Sequence, residues 1–285
     1  MTTLSLPRPA GAEVTPTQSV GALALADARR FARHPLFLTS LAVVLVAQGV
    51  GIARQHVVDV GVEATVLPAF FIGVFGFVVA HRLTTSLRRT GDLADTAPVG
   101  AQRRTMALCL ACLVPMALGI LVILSMGIFG AVWPPTMPDR QVAWFGYESN
   151  LDVWGVLVGD VVLACLGGPL LGVAVARWAP FRGSALLGMV LLVTGPVMAQ
   201  AVPAPWYAVS PWVIFNDERV VGGKYQASWI RDAVSPAWWC GYAACLCALA
   251  VVAALMREKA HRRQLAIAGG VIAAAAVGFL LLATA

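Results

Sequence analysis

Apolar positions in this chain do not alternate with polar ones; they come in seven long blocks separated by polar joints. The blocks run from Leu36 to Ala53, Thr65 to Ala80, Met106 to Trp133, Leu151 to Ala176, Ser184 to Val202, Ala237 to Met256 and Leu265 to Ala285. A surface helix would show an apolar stripe with a period near 3.6 residues, and a half-buried strand a period of two. Blocks apolar on every side belong to helices with no water-facing side. Their lengths suit the ~20 residues that cross a ~30 Å hydrocarbon core. Membrane barrels use alternating segments of about ten residues instead. The pattern predicts an all-α integral membrane protein, a polytopic bundle of about seven transmembrane helices.

The stretches outside the blocks divide the chain further. Residues 1–19 are rich in Thr, Pro, Ala and Gly, carry no apolar run resembling a signal peptide, and predict a mobile cytoplasmic tail. In residues 20–34, Leu23, Leu25, Ala26, Phe31 and Ala32 alternate with Asp27, Arg29, Arg30 and Arg33 at roughly helical spacing. This stretch is too short and too charged to span, and reads as an amphipathic helix lying on the membrane interface. Residues 35–256 then hold six spans, and residues 257–285 a basic turn and the seventh. The Ala- and Gly-rich seventh block leaves open whether it packs in the core or at its edge.

Composition and charge supply orientation. Only 12% of the 285 residues are charged and the mean hydropathy is +0.81, against roughly 25% charged residues in soluble domains. Arg29, Arg30, Arg33, Arg82, Arg88, Arg89, Arg103, Arg104, Arg177, Arg182, Arg257, Lys259, Arg262 and Arg263 fall in one set of joints. The other set holds Arg54, Arg140, Arg219, Lys224 and Arg231. The richer set is cytoplasmic by the positive-inside rule. The N-terminus is then cytoplasmic and the C-terminus extracellular, in a multi-pass protein of the cell membrane. Of the nine tryptophans only Trp178 falls on the inner side. The net charge of +6 sits at block ends and forms no basic stripe with interleaved aromatics, which argues against a nucleic-acid partner. All six cysteines lie inside apolar blocks; Cys109 and Cys112 have a C-x-x-C spacing but lack the polar, accessible setting of a redox or zinc motif.

No catalytic constellation appears: there is no phosphate-binding Gly-rich loop with a Lys, no H-E-x-x-H and no G-x-S-x-G. The chain is not expected to be an enzyme or to bind a metal. His34, His81 and His261 fall at the cytoplasmic edge and read as solvated interfacial residues. Three features stand out. In the inner stretch from His81 to Arg104, Leu83, Leu87 and Leu93 form an apolar stripe beside Arg88, Arg89 and Asp92 before Pro98 and Gly100 stop the helix. Such a helix either caps the bilayer or docks a soluble partner. The outer stretch from Pro203 to Pro236 is too apolar for a free loop and too broken for a span. It predicts a short hairpin of interfacial helices with Asn216 to Lys224 as its turn. Third, Asp160 lies about eight residues, or ~12 Å, inside the fourth span. An intramembrane carboxylate faces a bundle interior or a watery cavity. It either pairs with Thr194 or Gln200 or lines a path with them.

The sequences ALADARRFARHPLF, LPAFFIGVFGFVVAHR and RRTGDLADTAPVGAQRRTMALCLA together resemble type-2 ATP-binding-cassette export permeases, most closely the Ala-, Gly- and Arg-rich actinobacterial group. The resemblance covers Ala22 to Met256, and its most specific part is the A-P-V-G-A-Q-R-R phrase before the third span. It implies the membrane subunit of an ATP-driven exporter for an amphipathic, lipid-like, drug, antibiotic or peptide substrate. The permease binds no cofactor, while ATP and Mg sit on a separate cytoplasmic ATPase subunit present in two copies. A second copy or a related permease completes the assembly in the lipid membrane. The resemblance places ATPase coupling on Asp27, Arg30 and Arg33 and on Leu83, Leu87, Arg88, Arg89 and Leu93. It places an outer gate within Pro203 to Ser235, where Trp206, Trp212, Phe215 and Trp229 are the large apolar groups. The family core has six spans, so the seventh block departs from it. Two other classes fit the residues: a proton-coupled carrier using Asp160, and a membrane scaffold or sensor.

Overall fold

The computed structural model describes residues 16–54, 66–89, 100–132, 150–202, 206–213, 217–221, 224–228, 234–258 and 261–285. Its described residues are overwhelmingly helical. Five helices are long and apolar enough to cross a membrane: Pro68–Ser86, Ala101–Ser125, Trp154–Trp178, Pro236–Leu255 and Arg262–Thr284. A sixth candidate is a pair bent by 61° between Val20–Ala32 and Pro35–Val50, and Ser184–Gln200 is apolar but shorter. The chain is a helical membrane protein.

Helix α1 (Pro16–Ala32) meets α2 (Pro35–Arg54) at an elbow formed by Arg33 and His34. Pro35 opens α2, where its missing N–H costs nothing and its fixed φ suits the first turn. The His34 Nδ1 accepts from the Leu36 N–H at 3.3 Å, capping that turn. Phe31 and Phe37, both buried, pack edge-on at 5.0 Å across the elbow and hold it against the core. α1 then lies along α4 (Ala101–Ala111).

The second apolar block becomes a π-helical segment, Pro68–Val74, running into α3 (Phe75–Arg89). The sequence reading ends this span at Ala80, but the helix continues nine residues to Arg89. The hydroxyls of Thr84, Thr85 and Ser86 donate to Ala80, His81 and Leu83 carbonyls of the same helix, so the polar tail stays helical. The third block breaks at Cys112 into α4 and α5 (Leu113–Val132). Pro115 explains the break, since it lacks the N–H for the Ala111 carbonyl and crowds that group. The fourth block is α6 (Asn150–Val156), a π-helical segment Leu157–Leu163 and α7 (Ala164–Trp178) in one continuous helix. α8 (Ser184–Gln200), α9 (Pro236–Leu255) and α10 (Arg262–Thr284) follow.

The helix Asn150–Trp178 is the hub, packed against α3, α5, α8, α9 and the Pro68–Val74 segment. Gly168 and Gly172 make this possible. A Cβ on Gly168 would collide with the Gly73 carbonyl, and one on Gly172 with the Phe77 carbonyl. Small residues spaced by four let two helix backbones touch, the usual way helices associate where lipid removes the hydrophobic drive. α10 packs along α9 and runs antiparallel to it, with the Ser235 N–H donating to the Ala283 carbonyl at 2.8 Å. Thus the seventh block sits at the edge of the bundle.

Between α8 and α9 the described chain forms a 3₁₀ turn, Trp206–Val209, and two strands, β1 (Asp217–Val221) and β2 (Lys224–Ser228). The strands pair antiparallel with Val221 opposite Lys224. This corrects the expected helical hairpin. Two residues, Gly222-Gly223, separate the paired ends, the sequence mark of a tight β-turn.

Candidate functional site

Apolar helices in a bundle can meet tightly or leave space, and here they do both. Around Gly168 the hub and the Pro68–Val74 segment are in backbone contact. Beside this contact, an apolar groove of about 540 Å³ opens between the hub, the Pro68–Val74 segment, α8 and α9. Leu163, Gly167 and Leu171 come from the hub, Leu192 and Val197 from α8, and Leu246 and Ala250 from α9. Among the described residues no charged side chain lines it. The volume falls in the range of about 300–1,000 Å³ typical of small-molecule sites.

One end of the groove is covered by Val209, Pro211 and Trp212. The sequence folds locally into this cap because residues 206–213 are pinned by hydrogen bonds to their backbone. The Trp239 Nε1 donates to the Ala208 carbonyl at 3.1 Å, and the Tyr242 hydroxyl donates to the Val209 carbonyl at 2.7 Å. The Ser210 Oγ donates to the Trp212 carbonyl at 2.6 Å. From the hub, the Asp160 carboxyl accepts from the Val213 N–H. Tyr207, Val213 and Trp239 are fully buried here, forming a second core cluster at the aromatic end of the bundle.

The opposite end carries the arginines. Arg177 at the close of the hub pairs with Glu258 beyond α9, and the Trp178 Nε1 donates to the Ala253 carbonyl at 2.7 Å. The Arg257 guanidinium lies 5.7 Å from the Trp178 ring. His81 is buried and its Nε2 bonds the Ser184 Oγ at 2.8 Å, tying α3 to α8. This replaces the expectation of a solvated interfacial histidine; the matching buried Ser184, far away in sequence, is what makes burial affordable. On α1, Asp27 is buried and lies 3.6 Å from exposed Arg30; burial pushes its carboxyl above the ordinary carboxylate value, with Arg30 opposing.

The anticipated path residues do not converge. Asp160 is buried under the cap, and its Oδ1 has no hydrogen-bond partner among the described residues. Exposed Thr194 donates to Val190 O, and Gln200 donates to Pro196 O, each within α8. Neither pairs with Asp160. Of the coupling residues, Arg30 and Arg33 are exposed on or beside α1, whereas Leu83 packs against the core and so does not belong to a free stripe. Leu87, Arg88 and Arg89 belong to the end of α3; Leu93 lies outside the described residues. Of the gate residues, Trp206 is exposed and Trp212 half-buried over the groove, while Phe215 and Trp229 lie outside the described residues. Tyr242 and Trp239 are the functional residues that sequence reasoning missed. Their signal was present as two polar-tipped aromatics opening an apolar block.

Among the described residues no group of three His, Cys, Asp or Glu is placed to hold a metal. The six cysteines are free, and Cys109, Cys112, Cys165 and Cys247 are buried. No protein-family model, no curated protein and no solved structure matches this chain.

Proposed function

We propose that the chain is the membrane permease subunit of an ATP-driven exporter, with no catalytic step of its own. The observation that carries this reading is the apolar groove between the helices, covered at one end by a pinned aromatic cap. A binding scaffold has no need of a groove between its helices. An exporter needs one that can be closed toward the side of release. The arginine-rich end, where α1 lies across the bundle beside α4, is where a cytoplasmic ATPase pushes. Arg30, Arg33 and the α3 end at Leu87, Arg88 and Arg89 form the docking face, with buried Asp27 beside Arg30 and Leu93 in the joint that follows.

In this reading α2 is the first of seven spans, the N-terminus is cytoplasmic and the C-terminus extracellular. The antiparallel pairing of α9 with α10 supports it, because α10 returns to the end where α9 begins. Cysteine labelling at Gln18 and after Ala285 tests the two termini; a cytoplasmic C-terminus would remove the seventh span.

The functional test is co-purification with an ATPase from native membranes. Replacing Leu87 and Leu93 together by Asp is expected to lose the ATPase while the permease still inserts. Undiminished recovery from that variant would defeat the docking assignment. The unpartnered Asp160 Oδ1 favours a second reading, a proton-coupled carrier. Transport that follows a proton gradient, needs no ATP and disappears in Asp160→Asn would establish it instead.

A further inference from the structure

The groove's lining carries more information than its size. Its polar side-chain groups are Trp212, Tyr242 and Cys247. Two of these are already engaged: the Tyr242 hydroxyl donates to Val209 O, and the Cys247 Sγ lies 3.6 Å from Leu163 O. The Trp212 indole differs. Its Nε1 is buried and has no acceptor among the described residues. An indole N–H can only donate, so an acceptor is the one group that satisfies it. A buried donor without an acceptor is a rare and costly arrangement in proteins, and marks a place where something else binds. A trapped water is a poor answer, since it needs about two to four polar partners and the other described side chains of this wall are apolar or already bonded.

From this we infer that the groove takes an uncharged, largely apolar molecule with one hydrogen-bond acceptor at its capped end, of the neutral ester-lipid class. With no charged side chain among the described lining residues, a phosphate or ammonium head would be stripped of water with no counter-charge there. The acceptor end sits under Trp212, and the acyl chains lie between Leu192 and Val197 on one side and Leu246 and Ala250 on the other. As cargo, such a molecule travels polar end first toward the cap. The inference names the substrate class of the exporter proposed above and rests on that reading for transport, but not for binding.

The test uses the full-length permease in nanodiscs, without ATP, and a photoactivatable diacylglycerol as probe. Phosphatidic acid and a plain alkane with matched chains and photogroup serve as comparisons. Diacylglycerol is expected to label α8 and α9 in preference to both. Trp212→Phe keeps an aromatic six-membered ring and removes the donor, and should weaken diacylglycerol binding about fivefold, the equivalent of one neutral hydrogen bond. Leu192→Trp and Ala250→Trp fill the groove from opposite walls, so loss of labelling in either folded variant supports the site. Labelling unchanged in both would place the probe in the surrounding lipid and overturn the inference. Equal labelling by phosphatidic acid, or a Trp212→Phe variant that binds as well as the parent, would overturn it too. Loss of lipid binding with ATPase co-purification intact would refute this inference alone. Lipid binding by a permease that recruits no ATPase would refute the exporter reading alone.

Discussion

Two helices of this bundle are nearly alike by composition and opposite in placement. Trp154–Trp178 and Arg262–Thr284 have mean hydropathies of 2.1 and 2.5, yet 61% of the first window is buried and only 6% of the second. The difference lies in what their small residues face. Gly168 and Gly172 meet the backbones of Gly73 and Phe77, whereas Gly270 and Gly278 have open space where a Cβ would go. Hydropathy therefore reports compatibility with lipid and says nothing about neighbours. In a bilayer, helix position is set by close packing of small residues and by a few polar bonds, since lipid tails are as apolar as leucine.

The sharpest way to break this comparison is to place the same side chain in both helices. Gly168→Leu forces the hub away from the Pro68–Val74 segment, because the new Cβ has only backbone to displace. Overpacking of this kind costs about 1–3 kcal/mol, and a rigid backbone contact puts it at the upper end. Gly270→Leu should be close to neutral, its side chain entering lipid. Unfolding in mixed micelles, followed by tryptophan fluorescence, is expected to separate the two variants by ~2–3 kcal/mol. Equal stabilities would mean that the hub glycines are not packing residues.

A smaller effect is expected where the two helices are joined. Arg177 ends the hub and Glu258 precedes α10, so their ion pair fixes the base of the peripheral helix to the centre. The Arg177 side chain is 13% exposed and the Glu258 side chain 31%, so solvent weakens the pair. Arg177→Ala should cost about 1–2 kcal/mol, near the lower end for hydrogen bonds to charged groups. Glu258→Gln keeps an acceptor and should cost less. Protease sensitivity of the α9–α10 turn provides the readout, rising in Arg177→Ala more than in Glu258→Gln.

Much of the bundle was legible in the residues. α8, α9 and α10 begin and end within about three residues of the apolar blocks, since hydrophobic length is dictated by bilayer thickness. The bend at His34-Pro35 was also readable, because proline marks a helix start. The helix after His81 was readable too, but not that it runs on unbroken from the span, since hydropathy falls at Arg82 while helix formation continues on local hydroxyl-to-carbonyl bonds. The β-hairpin was missed although Gly222-Gly223 announced it; the surrounding tryptophans drew the reading toward interfacial helices. The groove could not be read at all. It is a gap between Leu163, Leu192 and Leu246, residues from three separate blocks whose apposition depends on Gly168 and Gly172. Asp160 was singled out correctly as a buried carboxylate, but its hydrogen bond goes to the backbone of Val213, which no side-chain pattern encodes.

The smallest effect concerns the elbow, where α1 meets the bundle without the glycine contacts of the hub. The His34 Nδ1 must be unprotonated to accept from the Leu36 N–H. Burial, and then the positive charge of Arg82, hold this imidazole below the ordinary histidine value. Asp27, on the same end of α1, is occupied with Arg30. As pH falls through the ordinary value near 6.5, the undocked elbow takes up a proton before the docked one does. Docking is therefore fully favoured above that pH, weakens as the pH drops through it, and stops weakening below the depressed folded value. The change should amount to a fraction of the roughly 1 kcal/mol of one hydrogen bond, because His34 remains partly exposed. Hydrogen exchange at the Leu36 amide, corrected for intrinsic rates, should accelerate between pH 7.5 and 5.5 in the parent protein (a range of about one unit either side of 6.5). In His34→Asn, where an amide oxygen accepts at all pH values, the corrected rate should stay flat. A parent profile equally flat would show that the imidazole does not cap α2.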